Sequence, residues 1–561
     1  MKILKLIART LVLMIHFVLI ISSIYAQHTY CKLMIPLGIN DVNGRTNATT
    51  IHPGDTICLL PGHKSYLALS YIHGTKDAPV VICNVDGLIS ISGHYFGLRV
   101  DSCSHLKLTG SGLSGLNYGI QISDVKGAGI SIENLSTDIE IERVEVARTQ
   151  LVGIFAKSDP DCDLKSVRGK YTLRNLIIHD DFFHHTGMEG MYIGSSFYEG
   201  KTITCNGKDT IVLPHLLKGV KIYNNIIKDT GWDGIQVSCS DSCSEIHDNS
   251  IQNDSDSAFF NQMSGIMIGK GSVCDCYNNI IQNGKGDGID LFGLGGQRIY
   301  NNLIINQGKT YHPDENYYPY LKHGIYVGNH STLTDSGFII CYNTIISPKS
   351  NGIKFSNLTS KNNLIPNNLI INPGLYGSTG DEAFINITEP SIDVAVYNNY
   401  LNNDFPPAKF INPSTYNFDL EPTSPAVNHA AGIEGFSLSF DILHRSRPFS
   451  SQNDIGAFEC NDSSLFSIPE NFKKEIEFKE IFPNPIFTYF TVSYSIFKKS
   501  NIKIRIYDIG GKLVMEPVNI NQLPGLYEYT ISKGILLPGV YTLIFQTDHE
   551  IFSRKMIVLN H

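Results

Sequence analysis

Apolar residues along the middle of the chain recur within a short phrase, not with one helical or strand period. It reads IYNNIIKDTGWDGIQVS at 222–238, CYNNIIQNGKGDGIDLF at 276–292 and CYNTIISPKSNGIKFS at 341–356, with partial copies beginning at Ile246, Ile299, Pro366 and Val396. The first residues of the Asn pairs, at 224, 248 (an Asp), 278, 301, 343, 367 and 398, mark a unit of about 23 residues with occasional insertions. Each unit holds two or three short strands whose Ile and Val residues point inward, while Asn and Gly take the bends. Asn at one position of successive coils can stack into an amide ladder with rungs about 4.8 Å apart. The L-x-x-L-x-L signature of leucine-rich repeats is absent. The pattern therefore predicts an all-β chain, a right-handed parallel β-helix over 27–409. From Ile481 onward strict alternation predicts a small C-terminal β-sandwich.

Composition sharpens this picture. The chain has 561 residues, 42% of them hydrophobic and 17% charged, with 49 Gly. That is too long for one compact domain, whereas a solenoid grows without enlarging its cross-section. A net charge of -9 supplies no basic face for nucleic acid. Lys2, Lys5 and Arg9, the apolar stretch Leu11–Ile21 and the small Ala26 read as a signal peptide, 1–26, cleaved after Ala26. No later run is apolar enough to span a bilayer. Export permits disulfides among the 12 Cys, but their spacing matches no zinc pattern. Cys276 and Cys341 occupy the slot of Ile222 and Ile299, which reads as two small inward hydrophobes in preference to a bridge.

A second phrase, x-G-[IM]-y-apolar, recurs at Glu189–Tyr192, Asp233–Gln236, Ser264–Met267, Asp287–Asp290, His323–Tyr326 and Asn351–Lys354. Strand alternation turns the neighbours of y inward, which predicts a solvent-facing column Tyr192, Gln236, Met267, Asp290, Tyr326, Lys354. The pre-Gly residues form a second column, Glu189, Asp233, Ser264, Asp287, His323, Asn351. It is open to two readings, turn chemistry or part of a functional surface. A groove of this length suits an extended polymer. Candidate substrate-binding residues are Tyr192, Asp233 and Gln236, with Tyr317 and Tyr318 of the insertion 308–321, whose tyrosines either stack on sugar rings or pack the loop down.

Two chemistries fit. Elimination on a polyuronate needs a cation and a base: Asp287 and Asp290 are candidate Ca²⁺ ligands, and Asp290, His323, Tyr326 and Lys354 the candidate catalytic set. Glycoside hydrolysis needs two carboxyls, offered by Glu189 and Asp233 one coil apart or Asp233 and Asp287 two apart. The run HDDFFHHTGMEG, with His179, Asp180, Asp181, His184 and His185, reads as a solvated turn because its contiguous spacing does not suit a metal site.

The segment 52–87, HPGDTICLLPGHKSYLALSYIHGTKDAPVVICNVDG, resembles the first coils of secreted β-helix polysaccharide lyases related to chondroitinase B and alginate lyases. Pro53-Gly54-Asp55-Thr56-Ile57, Gly74-Thr75 and Pro79-Val80 carry the match. The resemblance implies a polysaccharide partner and favours elimination. The polygalacturonase pattern is not reproduced: Asp180-Asp181 and His323-Gly324 are fragments of it. The stretch 410–460 resembles the terminal cap of bacterial surface β-helix proteins through Phe418-Asp419-Leu420, Ser424-Pro425-Ala426, Arg447-Pro448 and Asp454-Ile455-Gly456-Ala457. After a polar linker, 461–479, residues 480–561 resemble the C-terminal sorting domain of the type IX (Por) secretion system. Phe482-Pro483-Asn484-Pro485, Tyr507-Asp508, Gly511-Lys512, Gly539-Val540-Tyr541 and Lys555 carry that likeness, which implies the type IX machinery as a partner and a secreted or outer-membrane-surface location. The expected function is binding, with lyase-like cleavage, of a polysaccharide; the alternative is a non-catalytic surface adhesin or structural β-helix.

Overall fold

The computed structural model describes residues 31–46, 51–113, 116–241, 243–312, 322–374 and 380–460, then 476–482, 486, 489–496, 500–509, 512–522, 525–547 and 551–558. The expected signal segment 1–26, Tyr317, Tyr318 and most of the 461–479 linker lie outside them. The chain forms two units, Met1–Asn461 and Asp462–His561.

The first unit winds through three parallel sheets of 13, 12 and 12 strands. One turn runs from Val80–Asn84 in the first sheet to Ile89–Ser92 in the second and Leu98–Asp101 in the third. The chain then re-enters the first sheet one coil on, at Ser104–Thr109. Because each strand pairs with its counterparts above and below, like side chains stack on like. Ile227, Ile251, Ile281, Ile304, Ile345 and Ile370 form one such inward column, fully buried. Burial of each stabilises the fold by about 1.5 to 3 kcal/mol relative to exposure.

The amide ladder exists, one residue later than the repeat phrase suggests. The residue between the first and second sheets, at 224, 248, 278, 301, 342, 367 and 398, has φ of 53° to 58°. Asn tolerates that left-handed bend best. The next residue, Asn225, Asn249, Asn279, Asn302, Asn343, Asn368 or Asn399, turns inward. Each of the first six donates its backbone N–H and its Nδ2 to the Oδ1 of the following Asn at 2.8–3.1 Å. The Nδ2 also reaches a carbonyl of the preceding coil, as from Asn302 to Cys276 O at 3.0 Å. Asp181 heads the ladder, its N–H bound to Asn225 Oδ1 and its own Oδ1 accepting Val144 N–H.

This phase corrects the reading of Cys341. It stands opposite Tyr300, while Ile340 takes the slot of Ile299. Cys276 points inward between Ile246 and Ile299, but Cys341 packs in the separate outer cluster, so the two face opposite sides of the sheet. The disulfides join Cys31 to Cys58 and Cys162 to Cys205.

The last coils carry strands apolar on both faces, such as Leu369–Ile371, because the segment after 403 covers the second sheet from outside. Leu303, Ile305, Ile346, Leu369 and Ile371 share a cluster with Phe410, Phe418, Leu420, Ile442, Ile455 and Phe458. Buried Arg447 clamps this cover by donating to the carbonyls of Asp454 (3.0 Å) and Gly456 (2.7 Å) beside Glu459. In turn Gly456 N–H binds Asn367 O and Ala457 N–H binds Thr344 Oγ1, each at 2.9 Å. The second unit holds antiparallel sheets of three and four strands around one core that includes Phe490, Tyr494, Ile504 and Phe545.

Replacing Asn302 by Ala removes the acceptor of the Asn279 N–H and Nδ2 on one side and the Nδ2 donor to Asn343 Oδ1 and Cys276 O on the other. The expected loss is about 2 to 4 kcal/mol of unfolding free energy, read as a lower denaturation midpoint in urea.

Candidate functional site

The three outer faces differ in kind. The second lies partly under the C-terminal cover. The first carries a stack of rings, His179, Tyr223, His247, Tyr277 and Tyr300, with centroids 4.7–5.1 Å apart and planes within 7° of parallel. Each inner ring has both faces occupied, so the stack shows ring edges to the outside and braces the sheet. The third face carries the ionisable columns.

Register on the third face follows the expected alignment: Phe155, Tyr192, Gln236, Met267, Asp290, Tyr326 and Lys354 are consecutive partners. Its expected exposure does not hold throughout. Gln236, Met267 and Asp290 are 1%, 7% and 6% exposed, and only Tyr192, Tyr326 and Lys354 are half-buried. The reason lies in the segments flanking the sheet. Gln236 Nε2 donates to Ser196 Oγ on one side (2.7 Å) and is met on the other by Gln262, from the insertion before Ser264–Ile268. The pre-Gly column is buried from end to end, so those residues are not solvated turn corners. They form rungs instead. Asp233 Oδ1 accepts the N–H and Oγ–H of Ser264, Asp287 Oδ1 accepts His323 N–H, and His323 Nδ1 accepts Asn351 N–H at 3.3 Å.

Gln262 presents one end of its amide to three oxygens: Glu189 Oε1 (3.1 Å), Asp233 Oδ2 (2.8 Å) and Gln236 Oε1 (2.9 Å). With the three oxygens as acceptors, that end is assigned as the nitrogen, which donates toward them. One amide nitrogen has two hydrogens for three acceptors, a shortage that protonation of a carboxyl relieves. Burial pushes Glu189 up to about 7, and burial together with Glu189 pushes Asp233 well above the usual carboxylate range. Burial raises Asp254 to about 6, and burial with Asp287 raises Asp290. Glu189 Oε2 and Asp290 Oδ1 have no hydrogen-bond partner among the described residues.

Beside Lys157, which lies over Tyr192, Lys322 is a buried cation of the row. Burial alone would discharge it, but Asp287 and Asp290 outweigh that and hold it charged, its Nζ 2.9 Å from Asp287 Oδ2. Asp287 thus already has an ammonium where the Ca²⁺ reading placed a metal. Burial drops His323 to about 4, leaving a neutral imidazole 5.8 Å from the Tyr326 ring, with Lys354 Nζ 5.7 Å over that ring. Sequence reasoning missed Lys322, Asp254 and Gln262. Lys322 directly precedes His323 and was within reach of the repeat, whereas Gln262 stands in an insertion with no phrase to align it.

Among the described residues, one group of three potential metal ligands lies within reach of one another, Glu140, Glu142 and His179 on the first sheet. Lys107 pairs with both glutamates, and hydrogen bonds to Asp180 and Glu140 overcome burial to hold His179 at about 9. Two cations therefore already neutralise these acids. The run 179–185 is accordingly no solvated turn: His179 ends a buried strand, Asp181 heads the ladder and His184 Nε2 lies 3.1 Å from Glu145.

Comparison with known proteins agrees with the architecture. A family model described as right handed beta helix region matches residues 128–260 and 218–401, and one described as secretion system C-terminal sorting domain matches 480–559. Similar solved structures include the GH136 lacto-N-biosidase from Eubacterium ramulus (12% identity, 63% of this chain and 63% of that one, TM-score 0.42). Others are pectate lyase Pel9A (15%, 74% and 90%, 0.33) and an alginate lyase from Paenibacillus sp. (12%, 66% and 99%, 0.33). The chain thus spans less than two thirds of the lacto-N-biosidase's length. No curated protein matches the sequence. No helix among the described residues is long and apolar enough to cross a membrane. The chain is a right-handed parallel β-helix protein whose C-terminal sorting domain sends it through type IX secretion to the cell surface or the extracellular space.

Proposed function

We propose that the protein binds an extended polysaccharide along the outer face of the third sheet and cleaves it by acid–base chemistry at Glu189 and Asp233. The observation that carries this reading is the buried carboxyl pair bridged by the Gln262 amide. Two hydrogen bonds to one nitrogen hold the carboxyl oxygens no more than about 6 Å apart. That is closer to the spacing of a double displacement than to one that leaves room for a water between acid and base. The carboxyl pair shares one proton: one carboxyl donates it to the glycosidic oxygen as the C–O bond breaks, and the other, as carboxylate, bonds the anomeric carbon. Water then frees the sugar by giving its proton back to the first carboxylate. Gln262 then stands where substrate hydroxyls bind, and the sugar displaces its amide. Elimination at the expected set Asp290, His323, Tyr326 and Lys354 is the second reading, supported by the Lys354 ammonium lying over Tyr326 beside His323.

Incubating the full chain with neutral glycans, glycosaminoglycans and polyuronates, with and without Ca²⁺, separates the readings. New reducing ends without a conjugated product mean hydrolysis, absorbance of a new double bond means elimination, and silence in both leaves the adhesin. Glu189→Gln and Asp233→Asn are each expected to lower turnover about 100-fold or more with binding retained.

The pH dependence has a definite sign. A carboxyl whose folded value lies at about 7, against 4.5 unperturbed, stabilises the fold fully below about 4.5 and loses that contribution as the pH rises through about 7. Thermal melts of the native chain are therefore expected to weaken across that window. The Glu189→Gln variant should show a shallower decline, with Asp233 and Asp254 still contributing the remainder.

A further inference from the structure

The loop that delivers Gln262 carries side chains that the carboxyl pair does not use. Phe259 and Phe260 are each 50% exposed, unusual for rings that a coil core of this size could bury. Phe259 lies flat on Trp232, with centroids 4.3 Å apart and planes within 9°. Trp232 directly precedes Asp233. The loop is fastened to that same stretch of backbone: Ser255 N–H binds Trp232 O and Ser257 N–H binds Gly231 O, both at 2.9 Å. At its far end Gln262 ties it to Glu189, Asp233 and Gln236. The aromatic patch is therefore held beside the carboxyl pair from both ends, with the outer face of Phe259 turned away from Trp232.

The charges nearby select what can lie there. Glu189, Asp233, Asp254 and Asp256 are acidic, and the cations near them are already paired: Lys285 with Asp256 (2.6 Å), Lys157 with Asp159 (3.3 Å) and Lys322 with Asp287 (2.9 Å). A polyuronate would bring a further carboxylate with every sugar against this set, in a site where burial already keeps carboxyls from ionising. An uncharged pyranose has no such cost, and its C–H face packs on an aromatic ring.

We propose that Trp232, Phe259 and Phe260 form a stacking subsite for an uncharged pyranose ring of the polysaccharide, next to the bond on which Glu189 and Asp233 act. The proposal rests on the cleavage reading above and narrows its substrate to neutral glycans.

Trp232 is the single tryptophan of the sequence, so indole emission reports this place alone. The full chain is titrated with cellohexaose, mannohexaose, galactohexaose, hexagalacturonate and hexamannuronate. At least one neutral hexasaccharide is expected to change the emission saturably, and both uronates to leave it unchanged. Phe259→Ala should weaken that titration by up to about tenfold, and Phe259→Tyr should restore it, which separates lost stacking from lost folding. Trp232→Phe should abolish the signal while calorimetric binding persists. Emission that follows a uronate as well as it follows a neutral sugar overturns the neutral class. Emission indifferent to every neutral hexasaccharide overturns the subsite, and the carboxyl reading then stands if the polymer panel is still cleaved. A saturable neutral response without any cleavage leaves the subsite and removes the catalytic reading.

Discussion

Everything in the β-helix unit depends on coil-to-coil hydrogen bonding in parallel register. A strand of the three stacked sheets has no partner within its own turn, so its N–H and C=O groups are satisfied only if the next coil arrives in phase. The Asn ladder enforces that phase at the sharpest bend. An inward amide in an apolar interior costs several kcal/mol unless every group is bound, and the inner ladder residues Asn249 to Asn368 are bound to an Asn on both sides. A coil out of step would leave an amide unpaired, so the side chain that looks most out of place in the core is what specifies its geometry.

The same register builds the third face. Stacking puts residue types that a single coil could carry harmlessly into continuous rows: carboxyl beside carboxyl, with Lys322 and Gln262 arriving from the flanking segments. In an open groove such a row would be solvated and ionised. Here the insertion covers it, and burial pushes Glu189, Asp233, Asp254 and Asp290 toward the protonated form, with Lys322 and Lys157 as the buried cations that offset it in part. Proton-donating power at neutral pH follows from that cover, much as the apolar outer strands of the last coils follow from the C-terminal cover on the second face.

How legible this was from the chain differs by level. The inward Ile and Val positions, the left-handed Asn corners and the alignment of Tyr192 through Lys354 repeat with the coil, and repetition is what a single sequence displays best. The phase slip at Cys341-Tyr342-Asn343 was hidden because Tyr342 takes the left-handed corner that Asn takes elsewhere. Exposure was misjudged at Gln236, Met267 and Asp290 for a different reason: strand alternation says which side of a sheet a residue faces, but not whether something else lies on that side.

The amino-acid sequence by itself determined the solenoid, its corners, its in-register columns and its sorting domain, since each rests on local periodicity or on a contiguous motif. Only the tertiary structure decided which column is buried, that Lys322 neutralises Asp287, and that Gln262 bridges Glu189 to Asp233 beside the Trp232–Phe259 stack. Those contacts join residues dozens of positions apart through insertions that carry no repeat. Burial then sets the charge state of the row, and burial belongs to the assembled fold and not to any stretch of chain.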